Sequence, residues 1–202
     1  TLSLHDALPI SSPTIVNCVL RDNTAHRGGG IFSRDASPTV VNCTVVANTA
    51  SVAGGGVFSS GTSGPTVVNC ILWDNHPDPI AFEGNEPVVT YSNVQGGWPG
   101  TGNIDADPVF VDAVAKDYRL SDRGTQRRVG FPWRVVANSP CVDAGSEVAE
   151  ALPAKAKNDR PRLCRGGVDM GAYEVGGLLI QVANPDRDWG MWIRELPNLV
   201  HD

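Results

Sequence analysis

Apolar and polar positions recur in a fixed phrase along the first half of the chain. "SPTIVNCVLRDN" at 12–23 returns as "SPTVVNCTVVAN" at 37–48 and as "GPTVVNCILWDN" at 64–75. Each copy opens on Pro, runs through β-branched residues, and carries Asn and Cys at the same place. A fourth, degenerate copy is "EPVVTYSNV". Val, Ile, Thr and Cys without 3.6-residue periodicity predict short strands rather than helices. The cysteines Cys18, Cys43 and Cys70 are spaced by 25 and 27 residues. A period in the twenties with turn residues between short strands is the mark of a solenoid. One repeat cannot bury its own apolar face, so neighbours must stack.

A repeat of this length accommodates three short strands and three bends, one coil of a parallel β-helix. Coils stacked about 4.8 Å apart place equivalent side chains in columns. Asn17, Asn42 and Asn69 are then predicted to form an asparagine ladder, hydrogen-bonded from coil to coil. Cys18, Cys43 and Cys70 stack beside it, with Ser92 continuing their column, and Asn23, Asn48 and Asn75 mark the next corner. Strict alternation places Val16, Cys18 and Leu20 on one face, whereas a bend at Asn17 turns Ile15 inward; both parities fit the pattern. The Gly triplets at 28–30 and 54–56 read as corners requiring positive φ.

The coils are similar to right-handed parallel β-helix repeats of bacterial surface proteins, on "GGGIF", "GGGVF", "LRDN" and "LWDN". "VTYSNVQGGWPGTGNIDADPVFVD", "DYRL", "NSPCVDAG" and "VDMGAYE" resemble the C-terminal part of choice-of-anchor Q domain proteins. The resemblance spans about residues 12–175 and implies a secreted or surface-attached bacterial β-helix protein. The insertion "SDRGTQRRVGFPWRVVA" departs from it. The opening "LHDALPI" resembles a translated sequencing-adapter oligonucleotide, so residues 1–10 are set aside as non-native; on that reading an export signal has been lost. The expected fold is all-β: a right-handed parallel β-helix of about four coils over 11–110 and an irregular, loop-rich tail over 111–177. Residues 178–202 stay unassigned.

Charge and chemistry narrow the function classes. The chain holds 16 Lys and Arg against 22 Asp and Glu, a net charge of −6, which argues against nucleic acid as a partner. No apolar run reaches the length of a membrane span. Without C-x₂₋₄-C pairs the cysteines suit buried packing rather than zinc. A disulfide between Cys141 and Cys164 fits an exported protein. The four histidines, His5, His26, His76 and His201, are isolated, and no nucleophile or nucleotide motif is present. No metal site or cofactor is expected. Calcium on Asp105, Asp107 and Asp112 lacks the glycine and terminal glutamate of an EF-hand loop. Asp143 and Asp169 read as caps of turn amides.

Three candidate surfaces remain. Phe32, Phe58 and Phe82 each follow a corner and predict an aromatic column, which is core if inward and a stacking surface for a neutral glycan if outward. Residues 116–165 hold 11 of the 16 basic residues, and Arg127 and Arg128 in that band would meet an acidic polysaccharide. Asp22 and Asp74 flank Ala47 in one column, two coil spacings apart. That separation suits an inverting glycosidase pair, although solvated turn carboxylates are the simpler reading. The expected function is therefore a non-catalytic module serving adhesion, glycan contact or spacing. The alternative is a polysaccharide lyase or hydrolase whose catalytic coils lie elsewhere.

Overall fold

The computed structural model describes residues 12–121, 138–149, 151–160 and 167–175, together with the backbone of 2–3. It is a parallel β-solenoid of three coils and part of a fourth, and no helix occurs among the described residues. Strand β1 (Leu2–Ser3) pairs with the first coil, so part of the stretch set aside as non-native is paired backbone. The first coil comprises β2 (Thr14–Val16), β3 (Val19–Arg21), β4 (Thr24–Arg27) and β5 (Ile31–Arg34). The second comprises β6 (Thr39–Val41), β7 (Thr44–Val46), β8 (Thr49–Ala53) and β9 (Val57–Gly61). β10 (Thr66–Val68), β11 (Ile71–Trp73) and β12 (Ile80–Gly84) form the third, and β13 (Val88–Thr90) with β14 (Asn93–Val94) the partial fourth. Parallel pairing in register carries Ile15 onto Val40, Val67 and Val89, and Leu20 onto Val45, Leu72 and Val94. These columns, with Cys18, Cys43, Cys70 and the Ile31–Val57–Ile80 column, form the interior.

The open parity is resolved by backbone conformation. Asn17, Asn42 and Asn69 have φ of 54°, 49° and 54°, and Asp22, Ala47 and Asp74 have φ of 56°, 53° and 54°. A left-handed residue breaks strand alternation, so Ile15 and Cys18 both face the core with Val16 outside. The unit repeats as Leu20, Arg21, Asp22 and Asn23. Asn and Asp tolerate this conformation better than other side-chain-bearing residues, which explains their recurrence five residues apart. Of the Gly triplets, only Gly28 and Gly54 have positive φ, 61° and 64°. Gly30 is required for close approach instead, because a Cβ there would lie 2.6 Å from the Gly56 carbonyl oxygen.

The asparagine ladder runs through the other column. Asn48 Nδ2 donates to Asn75 Oδ1 at 3.0 Å, and Asn23 Nδ2 donates to Asn48 Oδ1 at 2.9 Å. Asn42 and Asn69 direct their amides outward, to the carbonyls of Asp169 at 3.1 Å and Ser146 at 2.9 Å, and Asn17 donates to that of Lys155. The ladder expected at Asn17, Asn42 and Asn69 is thus a clamp on the tail. The left-handed residue itself points its side chain out of the bend, while the residue after it points in. The cysteine column stands as expected and continues further: the backbone N–H of Cys18, Cys43, Cys70 and Ser92 donates in turn to Cys43 Sγ, Cys70 Sγ, Ser92 Oγ and Asn103 Oδ1.

The tail lies against the outer flank of these sheets. Hairpin strands β15 (Phe110–Asp112) and β16 (Asp117–Leu120) pair antiparallel, and Leu120, Cys141 and Met170 bury Ile71 from outside. Asp169 caps the N–H groups of Asp143 at 2.8 Å and Val175 at 2.6 Å, the capping role expected of it. At the end of the last coil, Trp98 packs on the interior cluster and closes the stack.

Candidate functional site

A concavity of about 500 Å³ opens where the Asp22–Ala47–Asp74 corner column meets the hairpin. Its volume lies in the range of small-ligand sites. The solenoid contributes Trp73 and Asp74 from the end of β11, Val46 and Ala47 from the coil below, and Asp22 from the first coil. Strand alternation places Leu72 inside and Trp73 outside, half-buried beside the groove. The hairpin contributes Phe110 and Tyr118, whose rings meet edge to face at 5.2 Å and 82°. Lys116, in the hairpin turn with φ 62°, reaches back so that Nζ lies 2.8 Å from Asp22 Oδ2.

The charges in the groove are unevenly engaged. Hydrogen bonds from Lys116, and then from Arg21, hold Asp22 below the ordinary carboxylate pKa. Asp107 accepts the Val109 N–H at 2.9 Å through Oδ1. Asp74 is 3.9 Å from His76 Nδ1, with its side chain 62% exposed. Tyr118 is only 5% exposed; burial first, and then the Asp22 charge, push its pKa up, so it carries a neutral hydroxyl.

The residues expected to carry function fare differently. Phe32 and Phe58 stack at 5.7 Å and 12°, but Phe58 is 1% exposed beneath the Arg27 guanidinium, 5.2 Å from its ring. Phe82 does not continue the column: Ala81 is in register with Phe58, and Phe82 with Ser59. Ala81 stands between Ile80 and Phe82, whereas Phe32 and Phe58 directly follow Ile31 and Val57, so Phe82 falls one place out of the column and meets Trp98 edge-on at 6.3 Å instead. Arg127, Arg128 and Cys164 lie outside the described residues. Cys141 is a buried free thiol.

Asp105, Asp107 and Asp112 each accept a backbone N–H, from Gly96, Val109 and Ala115. No group of three metal-ligating side chains converges among the described residues. Searches against family models, curated proteins and solved structures give no match. The site therefore rests on its own geometry. Sequence reasoning found Asp22 and Asp74 but missed Trp73, Phe110, Lys116 and Tyr118. The signal for Trp73 lay in "LWDN", where an aromatic replaces the Arg21 and Val46 of the other coils.

Proposed function

We infer that the chain is a non-catalytic saccharide-contacting module of a secreted or cell-surface bacterial β-solenoid protein. The observation that carries this reading is the groove, in which Trp73, Phe110 and Tyr118 share the walls with Asp74 and Asp107. Sugars present apolar ring faces and peripheral hydroxyls, and such walls match both. The surface placement rests on the resemblance of the tail motifs to choice-of-anchor Q proteins. Among the described residues no helix is long and apolar enough to cross a membrane.

One observation favours a hydrolase instead. Asp22 and Asp74 line one groove about two coil spacings apart, about 9.6 Å, close to the inverting separation of about 6.5–9.5 Å. Against it, the Lys116 contact favours the ionised form of Asp22, whereas a general acid needs a raised pKa. The test is a glycan array at low and high salt, with a reducing-end assay on every bound polysaccharide. Retention without new reducing ends, lost on Trp73→Ala, supports the module. New reducing ends that disappear in Asp22→Asn or Asp74→Asn would establish the hydrolase. Neither retention nor cleavage would reduce the chain to a spacer.

A further inference from the structure

The groups that the groove leaves unpaired specify the sugar it takes. Asp22 is already engaged by Lys116 and Arg21. The Asp74 carboxylate has no hydrogen bond among the described residues, its one basic neighbour being His76 Nδ1 at 3.9 Å. Asp107 uses Oδ1 on the Val109 N–H, and its Oδ2 has no hydrogen bond among the described residues. Tyr118, 95% buried by its 5% exposure, has a hydroxyl with no hydrogen-bond partner among the described residues. Tyr118 lines the groove. That hydroxyl is not among the fully buried side-chain oxygens that lack a partner, so it reaches the groove surface, where a ligand can meet it. Three carboxylates and one ammonium line the groove, so its field is negative even with Asp22 and Lys116 cancelled.

An acidic chain is repelled from such a site, and a neutral sugar leaves two carboxylates without a cation. A protonated amine satisfies both conditions. It donates charge-assisted hydrogen bonds to carboxylates and is attracted to the face of an aromatic ring. Resting on the saccharide reading above, we propose that the groove binds a sugar bearing a protonated amine. Asp74 and Asp107 are its anionic partners, Trp73 and Phe110 contact the ring, and the Tyr118 hydroxyl pairs with a sugar hydroxyl.

The experiment is calorimetric titration of the full chain, at mildly acidic pH and low salt, with three oligomers: glucosamine, its N-acetylated counterpart, and galacturonic acid. The glucosamine oligomer should bind at least about tenfold more tightly than the acetylated one, the effect of a single hydrogen bond to a charged group. Asp74→Asn should abolish that preference. Asn accepts the left-handed backbone at this position, φ 54°, so the fold is preserved. Tyr118→Phe should weaken both the amino and the acetylated oligomer by a few-fold, since it removes a hydroxyl contact and no charge. Equal binding of the acetylated oligomer, undiminished by Asp74→Asn, would overturn the amine assignment and leave the saccharide reading intact. Preference for galacturonate would also overturn it. If none of the three binds, and the array retains no saccharide either, both inferences fall.

Discussion

Replacing Asn48 by Ala removes one amide from the middle of the ladder, and the structure indicates how much that should matter. The amide donates to Leu20 O at 2.9 Å, Val46 O at 3.1 Å and Asn75 Oδ1 at 3.0 Å. It accepts from the Asn23 backbone N–H at 3.1 Å and from Asn23 Nδ2 at 2.9 Å. Asn48 is 0% exposed, so water does not replace the lost partners. A stranded buried donor costs about 1–3 kcal/mol and each further lost bond about 1 kcal/mol. With incomplete additivity, the variant should lose about 3–5 kcal/mol, a large share of a typical domain's 5–15 kcal/mol or so. Asn42→Ala is the internal control. It deletes one side-chain hydrogen bond, to Asp169 O at 3.1 Å, and leaves Ala at φ 49°, for about 2 kcal/mol in all. Urea unfolding followed by far-ultraviolet circular dichroism measures both. The slopes must be compared with the midpoints, because a solenoid can lose coils in steps. If Asn42→Ala proves the more damaging, or Asn48→Ala lies within about 0.5 kcal/mol of the parent, the ladder assignment is wrong.

Two further outcomes follow from the ionisable groups. The folded Asp22 pKa is depressed by Lys116 and Arg21, so its contribution is complete above the usual carboxylate range, near about pH 4. That contribution is lost as pH falls through the depressed folded value. Lys116→Met should raise the Asp22 titration midpoint seen by carboxyl NMR, and an unchanged midpoint would refute the latch. The thiols should be unreactive in the native state at mildly alkaline pH. Cys18 is held high by its bond with Cys43 and then by burial. Cys43 is lowered by Cys18, but Cys70 and burial outweigh that and raise it. Burial pushes Cys141 up to about 11, against the lowering effect of Asn93 and Ser139. Half-buried Cys18 should label first; native-state labelling of Cys43 or Cys70 ahead of it would contradict the column.

The repeat itself determined the solenoid, its coil boundaries and the cysteine column. Stacking identical phrases at one spacing leaves a parallel register as the way to bury their β-branched residues. The recurrence of Asn and Asp marked the corners for the same local reason, their tolerance of positive φ. Which asparagine column bonds to itself was not local: Asn42 and Asn48 are chemically alike. The left-handed backbone at Asn42 turns its amide out toward Asp169, whereas Asn48, following the left-handed Ala47, turns in. Phe82 was misplaced because matching the aromatics of successive coils assumes the same spacing in each: Ala81 separates Phe82 from Ile80, the register partner of Val57, whereas Phe58 follows Val57 directly. The groove lay furthest from view. Trp73 and Tyr118 are 45 residues apart in the chain, and only the docking of the hairpin on the solenoid flank brings them to one wall. That docking depends on long-range packing of Ile71 against Leu120, Cys141 and Met170, which no short-range periodicity encodes.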